Sequence, residues 1–280
     1  MRNLLILIGF VFSSPAFAIS VGDHVENFRL LDQNGESHQL YYYSDAKALV
    51  FMVQGNGCPI VRNALPRFKE LRDQYSAQGV QFMMINSNLQ DNRASIAAEA
   101  SEFDFGMPVL LDETQVIGES LGLIRTGEVF VVDPKGWKVV YQGAVDDRLT
   151  YEKQKAAASE HYLKDAIDEV LAGQPVKVAS TDALGCLINF PERGKDAQHA
   201  QISYADTIAP MLIDNCVSCH RPGGIGPWAM TDYNMVRGFS LMMREVLRTQ
   251  RMPPWHADPA YGHFSNDRSL TAQEYTTLVR

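Results

Sequence analysis

The chain reads QGNGCPIV at residues 54–61, between an apolar stretch at 48–53 and a helical pattern at 60–78. The two glycines of this join allow the backbone to turn sharply, and Pro59 fits the first helical turn because an N–H there would have no helical partner. Cys58 is therefore predicted to lie at a helix N-terminus. There the unpaired N–H groups and the helix dipole favour the thiolate, so the pKa of this thiol should be lowered.

Strand and helix patterns alternate around this join. Apolar runs predict strands, at residues 48–53, 80–85, 128–132 and 138–142. Periodic patterns predict helices, at residues 60–78, 92–103 and 159–172. A short hairpin with its turn at residues 34–35 precedes them. Strands that alternate with helices imply a central sheet covered by helices, which is an α/β domain.

On these residues the first part of the chain, roughly 21–173, resembles the thioredoxin superfamily. The resemblance is to the exported redoxin branch, related to alkyl hydroperoxide reductases and TlpA-like thiol-disulfide oxidoreductases. It rests on the join at Cys58, on Pro66 partway down the following helix, and on INSN at 85–88 and DPKG at 133–136. The resemblance implies a thioredoxin-like domain with a central mixed sheet, flanking helices and thiol chemistry at Cys58.

Two positions depart from that family's pattern. Val61 stands where a CxxC motif would place its second cysteine, and Thr126-Gly127-Glu128 stands where the family usually has a cis-proline before a strand. Without a neighbouring cysteine, Cys58 cannot cycle through a local disulfide. A one-cysteine cycle or a distant resolving thiol remains.

Cys186 is the unassigned cysteine that could resolve Cys58. Both are candidate catalytic residues, in a cycle that reduces a disulfide or a peroxide. Two other interpretations stay open: the two cysteines could form a plain structural disulfide, or Cys58 could be a vestige of an ancestral active site. Four polar residues could line the same site but are interpreted as solvated strand-end and turn residues: Asn86, Asn88, Asp146 and Asp147.

The second part of the chain contains CVSCH at residues 216–220. Two thiols three positions apart can add to the two vinyl groups of a haem, and the adjacent His220 can then bind the iron. Cys216 and Cys219 are therefore the predicted attachment residues of one haem c, with His220 as an iron ligand. Met252, on a loop stiffened by the two prolines after it, is the predicted second axial ligand.

Helical patterns surround this motif, at residues 204–213, 231–251 and 271–280, and the second of them predicts one longer helix or a pair. In this order of helix, CxxCH, methionine and last helix, residues 203–280 resemble a small all-α domain of class I cytochrome c. RPGG at 221–224 and MPPW at 252–255 extend the resemblance to the cytochrome-like domain that follows redoxin domains in some bacterial proteins. The resemblance implies electron transfer through a covalent haem.

Three alternatives stay open at this motif. The two cysteines could hold zinc together with His220 and His256, although an adjacent cysteine and histidine make a poor tetrahedral pair. The cysteines could instead form a redox disulfide. Met252 could be core packing, with His256 or His263 as the iron ligand.

The N-terminal residues follow the pattern of a secretory signal, with a positive start, a short apolar run and a small-residue cleavage site. The predicted divisions are a signal peptide at 1–18, a redoxin domain at 19–175, a linker at 176–202 and a haem domain at 203–280. The protein is expected to be periplasmic or secreted, with no membrane span after signal removal. Because the sequence stops at Arg280 inside a predicted helix, it could be a fragment of a longer protein.

The 280-residue chain carries a formal net charge of −8, and removal of the signal with its Arg2 would make it more negative. This balance disfavours nucleic-acid binding and leaves redox partner proteins and small disulfide or peroxide substrates as the expected partners. The predicted function is an exported oxidoreductase that combines haem electron transfer with a thiol site at Cys58. The alternatives are a non-enzymatic electron carrier with a degenerate redoxin domain used for docking, and a haem-based sensor that feeds a missing C-terminal domain.

Overall fold

The strands of this protein form one small hairpin and one larger sheet, in a computed structural model that describes residues 20–150, 153–255 and 257–280. The predicted signal peptide at 1–18 and the alternative haem ligand His256 lie outside the described residues. The strands of the described part are β1 (Arg29–Leu31), β2 (Ser37–Gln39), β3 (Ala48–Val53), β4 (Val80–Asn86), β5 (Val109–Leu111), β6 (Val129–Asp133) and β7 (Lys138–Gly143).

The larger sheet has five strands in the order β5-β4-β3-β6-β7. Strand β3 runs parallel to β4 and antiparallel to β6, so the sheet is mixed. All six residues of β3 are buried, because both faces of the sheet are covered at this central strand. Alternate residues point to opposite faces, with Val50 and Met52 in one core cluster and Leu49 and Phe51 in another. The predicted thioredoxin-like α/β architecture, a central mixed sheet with flanking helices, is confirmed.

The helices of the described part are α1 (Pro59–Tyr75), α2 (Arg93–Glu102), α3 (Val116–Ser120), α4 (Tyr162–Leu171), α5 (Asp196–His199), α6 (Ala209–Asn215), α7 (Tyr233–Gly238), α8 (Ser240–Arg248) and α9 (Ala272–Val279). Helices α1 and α4 cover the first face of the sheet. Phe68 of α1 and Leu163 and Ile167 of α4 are fully buried there in one core cluster. None of these helices is long and apolar enough to cross a membrane.

The second face of the sheet is covered by the N-terminal segment, by α3 and by the last two helices. Leu247 of α8 and Val279 of α9 are buried in the same cluster as Phe51 of β3. Arg244 of α8 also pairs with Glu26 at 2.5 Å. The C-terminal helical segment therefore packs directly on the redoxin sheet.

The segment 176–202, predicted as a linker, also lies against the sheet. Ile188 and Phe190 are buried in the second core cluster. The N–H of Gln142 in β7 donates to the Ala179 carbonyl at 3.0 Å. These contacts come from residues without a sustained period, which is why the sequence pattern did not indicate them.

Most element predictions agree with the structure within a few residues, and the predicted strand at 48–53 coincides with β3. Three of the named elements were not predicted, β5 with three residues, α3 with five and α5 with four, because segments this short show no period. The pattern at 231–251, which predicts one longer helix or a pair, forms the pair α7 and α8, separated at Phe239. The helix predicted at 204–213 begins as a π-helical turn, Tyr204–Ile208, before α6.

Substitution of the core residue Phe68 tests this packing. Phe68 is 0% exposed and lies edge-on to Phe82 with ring centroids 5.4 Å apart. Phe68→Ala leaves a cavity that the core fills only in part, so we expect the free energy of unfolding in urea to fall by about 3–5 kcal/mol. Tyr42→Ala is the control, since Tyr42 is 79% exposed, and its effect should stay within about 0.5 kcal/mol. Equal effects of the two substitutions would contradict the assigned core.

Candidate functional site

Cys58 lies at the join between β3 and α1, as the sequence predicts. It is the N-cap residue of α1, and Pro59 occupies the first helical turn. The residue is 3% exposed, and the N–H of Val61 donates to its thiol. The sulfur therefore lies at the positive end of the helix dipole, where a thiolate is favoured.

The loop before Cys58 is held by two carboxylates from the segment that follows β4. Glu99 of α2 accepts the N–H of Gly57 at 3.0 Å and the Nε–H of Arg62 at 2.9 Å. Asp91 accepts the N–H of Asn56 at 3.0 Å. Sequence reasoning missed both carboxylates, because they are distant from Cys58 along the chain and belong to no motif that it shares.

The interpretation of four polar residues as solvated is wrong for three of them: Asn86, Asn88 and Asp146 are buried, while Asp147 is partly exposed. The side-chain amide of Asn88 donates to the Gln54 carbonyl at 3.0 Å, and that of Asn86 donates to the Gln54 side chain at 2.6 Å. Both therefore brace the loop that carries Cys58. Asp146 instead pairs with Arg148 at 2.8 Å.

Cys186 lies next to Cys58, although 128 residues separate them in the sequence. Their Sγ atoms are 3.5 Å apart, and both residues are free thiols. A disulfide bond of about 2 Å would require the two sulfurs to approach by about 1.5 Å. Cys186 is exposed whereas Cys58 is buried. The structure thus brings together the two candidate catalytic cysteines.

Thr126 bridges the two cysteines. Its hydroxyl lies 3.0 Å from Cys58 Sγ and donates to it. The same hydroxyl oxygen accepts the N–H of Cys186 at 3.0 Å, and the Thr126 N–H donates to the Cys186 carbonyl at 3.0 Å. The sequence at 126–128 indicates only that the usual proline is missing, and the hydroxyl contact could not be inferred from spacing.

Close backbone contact at Gly185 brings Cys186 to this place. A Cβ at this position would collide with the Thr126 carbonyl oxygen, so only glycine fits. The Gly185 carbonyl accepts from Nη1 of Arg125 at 3.0 Å, and the N–H of Ile188 donates to the Ile124 carbonyl at 3.0 Å. The linker therefore runs as an extended segment beside the residues that precede β6.

Gly127, where the family pattern usually has proline, makes a backbone bond that proline cannot make. Its N–H donates to the Val53 carbonyl at 2.7 Å, and proline has no N–H. Its φ of 80° lies in the left-handed region that favours glycine. Glycine at this position therefore adds a hydrogen bond between the residues before β6 and the end of β3, next to the thiol site.

The two thiols differ in acidity. Burial works to raise the pKa of Cys58, but hydrogen bonds from the Thr126 hydroxyl and the N–H groups of Val61 and Cys186 outweigh it, so this pKa is lowered. The pKa of Cys186 is raised by burial and by Cys58 beside it. Cys58 therefore ionises at a lower pH than Cys186 does, which is the order that a nucleophile and its resolving partner need.

CVSCH begins at the end of α6, where Cys216 is the C-cap residue. The N–H groups of Cys219 and His220 both donate to the Cys216 carbonyl, at 3.1 and 3.0 Å, so the motif forms one tight turn. Burial, the neighbouring Cys219 and the charge of Glu274 raise the pKa of Cys216 to about 11. A thiol of this kind is protonated at neutral pH, unlike the acidic thiols of redox disulfide motifs.

His220 is held in one orientation by the loop that follows it. Its Nδ1 lies 3.0 Å from the Trp228 carbonyl. Because a carbonyl only accepts, the proton is on Nδ1, and the lone pair of Nε2 is left for a metal. A Cβ at Gly226 would lie 2.8 Å from His220 Nδ1, so glycine allows the loop to close over the ring. These features fit an iron ligand of a covalent haem.

Zinc binding at CVSCH is not supported by the described residues, which exclude His256. The two cysteines of the motif and its histidine do not form a group of converging ligand atoms; the group that does is Asp32, Glu36 and His38. Asp32 Oδ1 already accepts the N–H groups of Asn34 at 2.8 Å and Glu36 at 2.9 Å. This cluster therefore closes the turn of the β1–β2 hairpin.

Met252 lies on the loop after α8, where it is half-buried. Its N–H donates to the Val246 carbonyl at 3.2 Å. The contacts of the described residues do not join Met252 to His220, and His263 is exposed. The second axial ligand therefore stays a prediction.

The mixed sheet and the Cys58 join define the first part of the chain as a thioredoxin-fold protein with a thiol site. The Redoxin family matches residues 20–159, which is half of the chain. The chain belongs to this family. The family match ends before the CVSCH motif, so it says nothing of that motif's chemistry.

Similar proteins include a thiol-disulfide oxidoreductase, ResA, from Halalkalibacterium halodurans. It is 22% identical over 152 residues, which cover 52% of this chain and 85% of that protein. Two crystal structures each match 61% of this chain with a TM-score of 0.56. One is a hypothetical protein from Sinorhizobium meliloti 1021, which is 26% identical and of which the match covers 95%. The other is an uncharacterized conserved protein from Geobacillus kaustophilus, which is 27% identical and of which the match covers 93%.

Alkylation at different pH values tests the acidity of the two thiols. Because only the thiolate reacts, the rate at Cys58 should rise with pH to a plateau whose midpoint lies below that of an ordinary cysteine, and the midpoint at Cys186 should lie above it. Mass spectrometry of the two iodoacetamide-labelled peptides gives both profiles. The urea-unfolded chain is the control, in which the two midpoints should coincide. A higher midpoint at Cys58 than at Cys186 would contradict the assignment.

Proposed function

We propose that this protein is a thiol-disulfide oxidoreductase in which Cys58 is the nucleophile and Cys186 the resolving thiol. The observation that carries the proposal is the distance of 3.5 Å between their sulfurs, in a chain whose CxxC position is filled by Val61. The similarity to ResA, a thiol-disulfide oxidoreductase, favours disulfides as substrates. The partners would be redox proteins and small disulfides.

The proposed reaction has two exchanges. The Cys58 thiolate attacks a substrate disulfide, which forms a mixed disulfide and releases one substrate thiolate that takes up a proton. The Cys186 thiol loses its proton and attacks the Cys58 sulfur, which forms the Cys58–Cys186 disulfide and releases the second substrate thiol. Two electrons have then passed to the substrate. A reduced dithiol partner returns them, and its own disulfide is the product.

Peroxide is the other substrate class that the same pair could reduce. The Cys58 thiolate would take one peroxide oxygen to become a sulfenic acid, and an alcohol or water would leave. Cys186 would then displace water from the sulfenic acid and form the same disulfide. Both cycles end in one product, so the first attack distinguishes them.

We also propose that Cys216 and Cys219 would bind one haem c covalently, and that His220 and Met252 would be its iron ligands. The proposal is supported by the Nδ1–H bond of His220 to Trp228, which leaves Nε2 available to iron. A bound haem would supply one-electron transfer. His220 would hold its ring in place through the Trp228 carbonyl, and we assign no direct transfer between this site and the thiols.

The proposed location is the periplasm or the outside of the cell. Residues 1–18 have the three-part pattern of a secretory signal. Such a compartment would also provide the partner proteins with which thiol-disulfide exchange takes place. An exported location agrees with both the proposed thiol pair and the proposed haem attachment.

Single-cysteine variants test the thiol reaction. The reduced full chain is mixed without oxygen with oxidised glutathione, with a peptide disulfide or with hydrogen peroxide, and the products are identified by mass spectrometry. The wild type should form the Cys58–Cys186 disulfide, Cys186→Ser should trap a mixed disulfide on Cys58, and Cys58→Ser should abolish the reaction, because it removes the nucleophile.

The outcomes separate the candidate functions. Rapid reaction with disulfides supports the oxidoreductase. Reaction with peroxide but not with disulfides, which leaves a sulfenic acid on Cys58 in Cys186→Ser, would identify a peroxidase. If both thiols remain unreacted with all of these substrates, the oxidoreductase and the peroxidase are both rejected. The non-enzymatic electron carrier is then favoured. Tyr42→Ala serves as a control at an exposed side chain outside both proposed sites, and it should leave these rates unchanged.

Expression with the N-terminal signal in a bacterial host competent for cytochrome c maturation tests the haem proposal. Haem should remain bound after denaturation, because thioether bonds hold it, and should be lost from the double variant Cys216→Ser with Cys219→Ser. Met252→Ala should change the native visible spectra of the oxidised and reduced protein while the haem stays attached. A colourless wild-type protein would overturn the proposal, and an unchanged Met252→Ala spectrum would remove Met252 as a ligand.

A further inference from the structure

We infer that Thr126 is a further catalytic residue of the Cys58 site, and that the linker backbone at Gly185 and Cys186 positions its hydroxyl. The inference rests on the proposed thiol function and deepens it. Thr126 directly precedes Gly127, where this chain departs from the pattern of its family. This role also gives the linker a part in the chemistry of Cys58.

The Thr126 hydroxyl donates its proton towards the Cys58 sulfur. A threonine hydroxyl has one proton to donate and lone pairs to accept. The N–H of Cys186 donates to Oγ1 at 3.0 Å, which leaves the hydroxyl proton for the Cys58 sulfur, also at 3.0 Å. Both Thr126 and Cys58 are buried, so little water competes for this bond. A hydrogen bond to an ionised sulfur in such a place is among the stronger kinds.

The main chain of Thr126 is fixed from two sides. Its N–H donates to the Cys186 carbonyl at 3.0 Å, while the N–H of Gly127 donates to the Val53 carbonyl at 2.7 Å. The hydroxyl is therefore aimed by β3 on one side and by the linker on the other. The linker reaches this position because the residue at 185 is glycine, where any Cβ would strike the Thr126 carbonyl.

The charged and titratable groups around the site do not replace the Thr126 hydroxyl as a hydrogen-bond donor to Cys58. Cys186 is the titratable group that faces Cys58, at 3.5 Å. Arg62 and Glu99 pair with each other beside the loop, and Arg125 is bonded to the Gly185 carbonyl. The Thr126 hydroxyl does not titrate in the range where the thiols do. It therefore stabilises the Cys58 thiolate at every pH at which that thiolate exists.

The linker supplies two groups to the Cys58 site, the N–H and the thiol of Cys186. Displacement of residues 185–186 would remove the N–H that orients the hydroxyl, as well as the resolving thiol. The reactivity of Cys58 is thus tied to the docking of the segment that leads to the CVSCH motif. Whatever moves that segment would weaken the nucleophile and separate it from its resolving partner in a single step.

Variants of Thr126 test the hydroxyl in the full chain. Thr126→Val keeps the shape and removes the donor, so the midpoint of the Cys58 alkylation profile should rise by about one pH unit. Thr126→Ser restores the donor and should return the midpoint to near the wild-type value. Thr126→Ala is a second variant without the donor, and circular dichroism checks that each protein is folded. A wild-type midpoint in both Thr126→Val and Thr126→Ala would overturn the inference.

Glycine variants test the positioning by the linker. Gly185→Ala should displace the linker and shift the Cys58 midpoint in the same direction as Thr126→Val. Gly136→Ala is the matched control, since its Cβ would meet only the Lys138 side chain, at 3.7 Å, in ordinary contact. A wild-type midpoint in Gly185→Ala would reject the positioning role of the linker.

A redox equilibrium with glutathione provides a second measurement. Because the hydroxyl stabilises the reduced form, Thr126→Val should shift the equilibrium of the pair towards the disulfide by about tenfold, or about 30 mV. The alkylation profile is measured without turnover, so the proposed function and the role of Thr126 can be rejected independently of each other. If no Cys58–Cys186 disulfide forms, the proposed function fails and the profile still decides the role of Thr126. If exchange is normal and Thr126→Val leaves the midpoint unchanged, only Thr126 loses its role.

Discussion

The thiol site depends on the close contact between two backbones, where Gly185 lies against the Thr126 carbonyl. This contact brings the linker into hydrogen bonding with the residues before β6 and sets Cys186 Sγ 3.5 Å from Cys58 Sγ. A side chain at residue 185 would push the linker away and separate the two sulfurs. One missing Cβ therefore decides whether a pair of distant cysteines can act together.

The rest of the site makes that contact chemically useful. The Cys58 loop is fixed by Glu99 and Asp91, so the sulfur stays at the N-terminus of α1, where its thiolate is stabilised. Burial of a thiol ordinarily raises its pKa, and here the hydrogen bonds from Thr126 and the backbone reverse that effect. Cys186, more exposed and less acidic, is left as the proton-bearing partner. The difference in acidity between the two thiols thus comes from the groups that surround them.

The helical C-terminal segment shares its packing with the redoxin sheet. Leu247 and Val279 enter the second core cluster, and Arg244 pairs with Glu26. The CVSCH turn lies in this segment, with His220 oriented by the Trp228 carbonyl. Because the linker to this segment also carries Cys186, the thiol site and the proposed haem site are connected through the same stretch of chain.

Much of the fold followed from the sequence, because the apolar run of β3 and the period of α1 are local patterns that burial enforces. The helix N-terminal position of Cys58 and the tight turn of CVSCH also depend on neighbouring residues only. Short elements such as β5, and the bracing of the loop by Glu99, could not be predicted, since they depend on contacts between distant segments. Local patterns were enough to predict an α/β domain and the candidate cysteines, and the family resemblance implied the mixed sheet. That Cys58, Cys186 and Thr126 meet could be learned only from the folded chain, because their contact depends on how closely two backbones pack.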